Sequence, residues 1–261
     1  MNRQGAPLGQ HFLKNAYYAY LLTQSLGAQK NEIILEIGPG KGMLTRELLK
    51  TGARVLAIEK DEALVDILAV TFKQEIESGM LDIISRDIRE VTPVSLGLQS
   101  GAYTLGANIP YYITGEIIRQ FLTSEIQPRT MAILIQKEVA QRIVSSKETL
   151  LSLSVKAYGV PRIVSKVVAG NFNPPPSVDS AILAIEHISN ERFTDVSEHL
   201  FFEVLHTGFA SKRKQLLGNL SEKYDRERVA KIFAQCGMDL KIRAEDVHVD
   251  EWMLLTKKLS T

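Results

Sequence analysis

Three glycines at alternate positions, Gly38, Gly40 and Gly42, close an apolar run and open a helical pattern in EIILEIGPGKGMLTRELLK. Glycine at such a junction lets the backbone turn sharply and approach a ligand with no Cβ in the way. A dinucleotide fingerprint of the G-x-G-x-x-G type would need a glycine where Met43 stands. Three acids accompany the turn. Glu36 precedes it, as an anion that repels a pyrophosphate and suits a cationic amino group. Glu59 ends the next apolar run, 17 residues past Gly42, where a carboxylate can accept both hydroxyls of a ribose. Asp87 follows LDIIS and can accept from an exocyclic adenine amine, or act as a loop acid or helix cap. A glycine turn with acids at successive strand ends suits S-adenosylmethionine better than a nicotinamide dinucleotide.

A second constellation lies in GANIPYYIT. An adenine amine is a poor nucleophile because its lone pair is delocalised into the ring. The side-chain oxygen of Asn108 and a backbone carbonyl, paired as acceptors, would hold both amine hydrogens. They would draw the nitrogen toward tetrahedral geometry, aiming its lone pair at a sulfonium methyl. Pro110 has no N–H and fixes the turn with a carbonyl inward. Tyr111 offers a face on which a flipped-out base can stack. Phe172, in the proline-stiffened NFNPPPSVDS, is expected to cover the other face, with packing beneath its loop as the alternative. A sulfonium methyl is electrophilic enough to need no strong general base, and the tetrapeptide from Asn108 to Tyr111 contains no His or Lys.

These residues need strands whose carboxyl ends converge. The short runs IILEI, RVLAIEK, MLDIISRD, AYTLGANI and TMAILIQK carry little polar alternation and are separated by helical spacings. That order predicts an α/β fold with a mostly parallel, doubly wound, Rossmann-like sheet. AILAIEH adds a later strand, and Lys14 to Leu26 a leading helix with Ala16, Tyr17, Tyr20, Leu21 and Leu22 at helical spacing. From about Glu191 the pattern is helical only, over Leu200–Gly208, Lys212–Leu220, Arg226–Cys236 and Glu251–Leu259. We expect a methyltransferase-type domain over 1–190 and a small all-helical domain over 191–261.

The 261 residues carry 31 Lys+Arg against 30 Asp+Glu, a net +1, with 45% hydrophobic residues. This is ordinary globular composition and argues against a bulk polyanion binder. A lone cysteine, Cys236, excludes an intrachain disulfide and a thiolate metal cluster. The amino terminus has no secretory pattern, and no apolar run approaches the roughly 18 residues of a membrane span. A cytoplasmic protein with no membrane partner and no metal site is expected.

The segments GQHFLKN, LEIGPGKGMLT, AIEKD, RDI, NIPYYIT, KEVAQRI, NFNPPPSVDSAIL, KRKQLLGNL and RAEDVHVDEW occur in an order that resembles the small-subunit ribosomal RNA adenine dimethyltransferases. The resemblance runs from about Gly9 to Leu259. It implies transfer of methyl groups from S-adenosylmethionine to two adjacent adenosines near the 3′ end of small-subunit (16S) ribosomal RNA, giving N6,N6-dimethyladenosine on a pre-ribosomal particle. Carried onto this chain, it implies that His11, Leu13, Gly38, Glu59, Asp87 and Asn108 bind the cofactor, with Gly40 and Glu36 in the same turn. Tyr111 and Phe172 would stack on the adenine. His11 stands where the family usually has Asn and would make cofactor affinity pH-dependent. NIPY replaces the commoner NLPY. The helical carboxyl-terminal region resembles the family's RNA- and ribosome-docking domain, and a monomer is expected.

A sister family acting on large-subunit RNA shares the glycine turn and NIPY but lacks segments of the KRKQLLGNL and RAEDVHVDEW kind. A nicotinamide-linked oxidoreductase, a non-catalytic assembly factor and a DNA adenine methyltransferase are the other readings. Charge is segregated along the chain. Residues 32–100 carry 8 basic and 12 acidic groups, whereas 129–170 carry 7 basic and 2 acidic, and Lys212–Lys214 add a basic run. That pattern is compatible with a discrete RNA-facing surface.

Overall fold

An apolar run without alternation suits a strand covered on both faces, and Ile34 to Ile37 are all buried. The computed structural model describes residues 10–260; the amino-terminal stretch read for targeting signals lies largely outside them. The elements are, in order, β1 (Phe12–Leu13), α1 (Ala16–Leu26), β2 (Ile33–Ile37), α2 (Met43–Leu49), β3 (Arg54–Glu59), α3 (Glu62–Thr71), α4 (Lys73–Glu77), β4 (Leu81–Ser85), β5 (Tyr103–Asn108), α5 (Thr114–Leu122) and β6 (Thr130–Gln136). Then follow α6 (Lys137–Val144), α7 (Leu150–Lys156), β7 (Val160–Val167), β8 (Phe172–Asn173), β9 (Ser180–Glu186), α8 (Glu198–Gly208), α9 (Leu216–Leu220), α10 (Arg226–Gln235) and α11 (Val249–Ser260).

Seven strands form one sheet in the order β4-β3-β2-β5-β6-β9-β7, and β1 pairs with β8 in a separate two-stranded ribbon. The first five are parallel, while β9 runs antiparallel to both of its neighbours. β2 lies centrally, between β3 and β5, so the glycine turn leaves the sheet beside the ends of both. The strand order reverses about β2, and in such sheets the crevice at that point is where ligands bind.

The leading helix is capped by the Asn15 side chain, which accepts from the Tyr17 N–H at 3.0 Å. Its buried face is Ala19, Leu22, Thr23, Ser25 and Leu26. Tyr17 and Tyr20, counted from sequence among its apolar positions, are instead exposed. The helix expected from Lys212 begins only at Leu216.

The chain divides into two units, but not at a single cut. One runs to Gln141 and resumes over Val160–Ile188; the other joins Arg142–Gly159 to the chain from Ser189 onward. Residues 142–159, which a boundary at 190 assigns to the first domain, therefore belong with the helices. The second unit explains why. The Glu148 carboxylate, nearly inaccessible, accepts from Lys156 Nζ and Ser152 Oγ at 2.7 Å each, and the Glu148 N–H donates to the Glu245 carbonyl at 2.7 Å. A buried carboxylate is tolerable only when so paired. The core of this unit includes Phe201, Phe233, Leu205 and Trp252.

The turn that leaves β2 is fixed from behind. Gly42 has φ +80°, and a Cβ there would run into the Phe72 ring and the Leu68 side chain. Gly42→Ala combines left-handed strain with overpacking and should lower stability by at least about 2 kcal/mol. Urea unfolding of the two proteins measures this.

Candidate active site

A cleft lies along the ends of β2, β3, β4 and β5. It brings together His11, Leu13, Gly38, Gly40, Glu59 and Asp87 with Asn108, Pro110 and Tyr111. Glu36 and Phe172 are absent from its lining.

Backbone alone forms one wall. Gly38 and Gly40 have φ of +70° and +58°. A Cβ at Gly40 would lie 2.9 Å from the Phe12 ring, and one at Gly38 would lie 3.4 Å from the Asn108 carbonyl oxygen. Glu59 holds this wall in place. Its Oε2 accepts from the Gly40 N–H at 3.1 Å, and its Oε1 accepts from the Lys60 and Asp61 N–H groups at 2.9 and 3.1 Å. A carboxylate has roughly four acceptor positions, and three are filled. Glu59 thus spends much of its accepting capacity on the backbone, a role the sequence did not signal.

Glu36 departs further from expectation. It sits inside β2 with no accessible surface, and neither carboxylate oxygen has a hydrogen-bond partner in the structure. Burial, with Glu59 as a nearby like charge, pushes its pKa up from 4.5 to about 8, against an opposing effect of neighbouring Thr45. Burial thus favours its neutral form, and its side chain lies behind the cleft rather than on the lining where the sequence placed it beside the cofactor.

Asp87 caps the short turn Ile88–Glu90 and faces the cleft. The Arg89 guanidinium hydrogen-bonded to it holds its carboxyl well below the usual carboxylate range. His11 Nδ1 lies 2.8 Å from the Pro174 carbonyl, to which it donates in the Nδ1–H form, and its ring stacks on Tyr111 with centroids 5.9 Å apart. Leu13 pairs with Phe172 across the two-stranded ribbon.

The Asn108 amide nitrogen makes a long contact, 3.4 Å, to the His11 carbonyl, which leaves Oδ1 as a free acceptor at the cleft. The Pro110 carbonyl takes the Ile113 N–H at 3.3 Å and keeps a second lone pair. Tyr111 donates or accepts at Ser180 Oγ, 2.6 Å away, and burial raises its phenol pKa. Phe172 is only 1% exposed and packs in the core with Leu13 and Ile182. It has no face to offer a base, so the expected clamp with Tyr111 is not formed. The β1–β8 pairing draws its ring inward, a long-range contact with no local sequence signal. Sequence reasoning also passed over Phe12, Lys60, Arg89 and Tyr112, all on the cleft lining; Tyr112 is 65% exposed. The second aromatic of PYY was the one available signal.

The pattern of the family described as ribosomal RNA adenine dimethylase matches residues 1–261. The chain belongs to this family. A ribosomal RNA adenine dimethylase is a methyltransferase, which sets aside the oxidoreductase reading. The chain is 37% identical over 252 residues to "Ribosomal RNA small subunit methyltransferase A" of Dehalococcoides mccartyi, covering 95% of this chain and 86% of that protein. Two solved structures share the fold. One is a 23S rRNA methyltransferase, ErmE, with TM-score 0.77 and 21% identity over 96% of this chain and 100% of that one. The other is a dimethyladenosine transferase from Plasmodium falciparum, with TM-score 0.78 and 22% identity over 94% and 96%.

Two outcomes follow from burial in this adenine dimethylase. Phe172→Ala should cost about 3–5 kcal/mol of stability, read by urea unfolding, as for an aromatic removed from a packed core. Glu36 keeps its proton in the folded chain where the unfolded carboxyl has lost it, so its contribution to stability declines as pH rises from 4.5 to about 8. Glu36→Gln should therefore gain on the wild type across that window, by at most about 5 kcal/mol. Unfolding both proteins at pH 5 and pH 8 measures the gap, and an unchanged gap would contradict the assignment.

Proposed function

We propose that this protein transfers methyl groups from S-adenosylmethionine to the N6 amines of two adjacent adenosines near the 3′ end of small-subunit ribosomal RNA. The product is N6,N6-dimethyladenosine, formed during small-subunit biogenesis. The observation that carries the reading is the convergence of a bare-backbone glycine wall, the acceptors Glu59 and Asp87, and the Asn108–Tyr111 turn in one cleft.

The residues suit the cofactor's chemistry. Gly38 and Gly40 leave backbone where a methionine moiety would lie, Glu59 accepts a ribose hydroxyl, and Asp87 accepts from an adenine amine. Ile88, Ile109 and Leu134 supply apolar lining for a flat ring. When bound, S-adenosylmethionine supplies an electrophilic methyl group whose C–S bond breaks as the N6–C bond forms. Asn108 Oδ1 and a carbonyl of the turn accept the two amine hydrogens of the target and orient its lone pair. The proton released from N6 passes to water. Exposed Tyr112, beside Tyr111 at the cleft, is a surface on which the extruded base can rest.

Docking on the RNA falls to the second unit, where Lys212 and Arg213 are exposed and make no ion pair among the described residues. The positive stretch at 129–170 is a weaker candidate. Five of its seven cations, Arg129, Lys147, Lys156, Arg162 and Lys166, pair with acids. The small-subunit relative at 37% identity favours small-subunit RNA over large-subunit RNA as substrate. No helix among the described residues is long and apolar enough to cross a membrane.

Radiolabelled S-adenosylmethionine offered with immature small subunits, naked ribosomal RNA, large-subunit RNA and duplex DNA should label the small-subunit particle alone. Label confined to large-subunit RNA would overturn the proposal. Asn108→Ala should lower transfer at least about a hundredfold, the scale of losing one transition-state hydrogen-bond partner. Its cofactor affinity should fall less than tenfold, as read by calorimetry.

A further inference from the structure

Asp87 does not stand alone at the cleft edge. Its Oδ1 accepts from the Arg89 backbone N–H at 3.1 Å and from Arg89 Nε at 3.0 Å, while its Oδ2 accepts from Arg89 Nη2 at 2.6 Å. Lys60 Nζ lies 3.7 Å from Oδ2, close enough to favour the charge but too far for a hydrogen bond. Asp87, Arg89 and Lys60 all line the cleft, and the Arg89 side chain remains 45% exposed.

Of the roughly four acceptor positions of an ionised carboxylate, this arrangement fills three. One remains, on Oδ2, with its direction set by the guanidinium fork and the backbone cap. A single directed acceptor takes one N–H and repels any lone pair placed against it. Adenine presents an amine hydrogen at C6, whereas hypoxanthine presents a carbonyl oxygen. Discrimination between them requires a carboxylate that neither rotates nor picks up a proton, since a protonated acid would donate to the 6-oxo group. The fork prevents rotation, and the adjacent cations oppose protonation.

We propose that Arg89 is a positioning residue that makes Asp87 a reader of the 6-amino group of the cofactor, selecting an adenosyl over a 6-oxopurine nucleoside. This rests on the cleft being the S-adenosylmethionine site. Arg89 touches no reacting atom and acts through Asp87.

Calorimetric titration of the full chain with S-adenosylhomocysteine and with its inosine counterpart tests both levels. The wild type should prefer the adenosyl compound by at least about tenfold, the scale of one hydrogen bond to a charged group. Asp87→Asn, whose amide can turn to donate, should lose or reverse the preference. Arg89→Ala should reduce the preference at least about fivefold with the unfolding midpoint little changed, because the residue lies at the surface. Arg89→Lys, which keeps the charge and loses the fork, should fall between Arg89→Ala and the wild type. Equal weakening of both ligands in Arg89→Ala, or a full preference kept by Arg89→Lys, would overturn the positioning role. A wild type that binds both ligands equally would overturn the inference and leave the cofactor site standing. A wild type that binds neither would remove both.

Discussion

Three backbone N–H groups converge on the carboxylate of Glu59, and the shape of the cleft depends on that convergence. One belongs to Gly40 in the turn after β2; the other two, Lys60 and Asp61, begin the connection from β3 to α3. A single buried side chain thus ties the ends of adjacent strands together, at 5% exposure. Neutral acceptors would bind those donors less strongly, since hydrogen bonds to an ionised group are shorter and roughly twice as strong. At Gly40 the Glu59 carboxylate holds the backbone N–H, and the Phe12 ring comes so close that no Cβ would fit.

Around this anchor the acids of the cleft take different roles from their environments. Glu59 is satisfied by backbone donors, Asp87 is held ionised by Arg89, and burial inside β2 pushes Glu36 toward its neutral form against the opposing effect of Thr45. Net charge counted along the sequence hides this. The acidic surplus of residues 32–100 suggests a negative cavity. In the structure Glu36 is buried away from the cleft and Asp87 is paired, while Lys41, Lys60, Arg86 and Arg89 stand on the same cleft lining. The basic surplus of 129–170 is similarly absorbed by Glu32, Asp246, Glu148, Glu186 and Asp179.

The parts of the molecule legible in the sequence are those whose signal is local. Buried and half-buried strands with short apolar runs are visible, which covers β2, β3, β4, β5, β6 and β9, and so is the turn between β2 and α2. Asn108, Pro110 and Tyr111 could be placed because they follow β5 directly. What escaped depends on partners distant in the chain. β7 lies at the sheet edge, mixes exposed and partly buried residues without regular alternation, and carries an irregularity between Ile163 and Ser165, so its pattern is weak. Phe172 looks like a loop aromatic until β1, some 160 residues earlier, pairs with it and turns its ring into the core. In α1, Tyr17 and Tyr20 share spacing with apolar positions, yet the packed face joins Leu22 and Leu26 to Ala19, Thr23 and Ser25 and leaves both tyrosines outside.

The discontinuous makeup of the helical unit also bears on the order in which the molecule can be completed during synthesis. Arg142–Gly159 leaves the ribosome before β7 and β9, but the rest of its unit comes from residue 189 onward, and Glu245, which receives the Glu148 N–H, comes later still. A nascent chain therefore holds α7 without its packing partners while the remaining strands of the sheet are being made. The sheet, too, cannot be closed until β9 slots between β6 and β7. Vectorial folding that finishes one domain before the next begins is unavailable to this topology. Truncation at residue 190 would strip α7 of its core rather than release an intact catalytic domain.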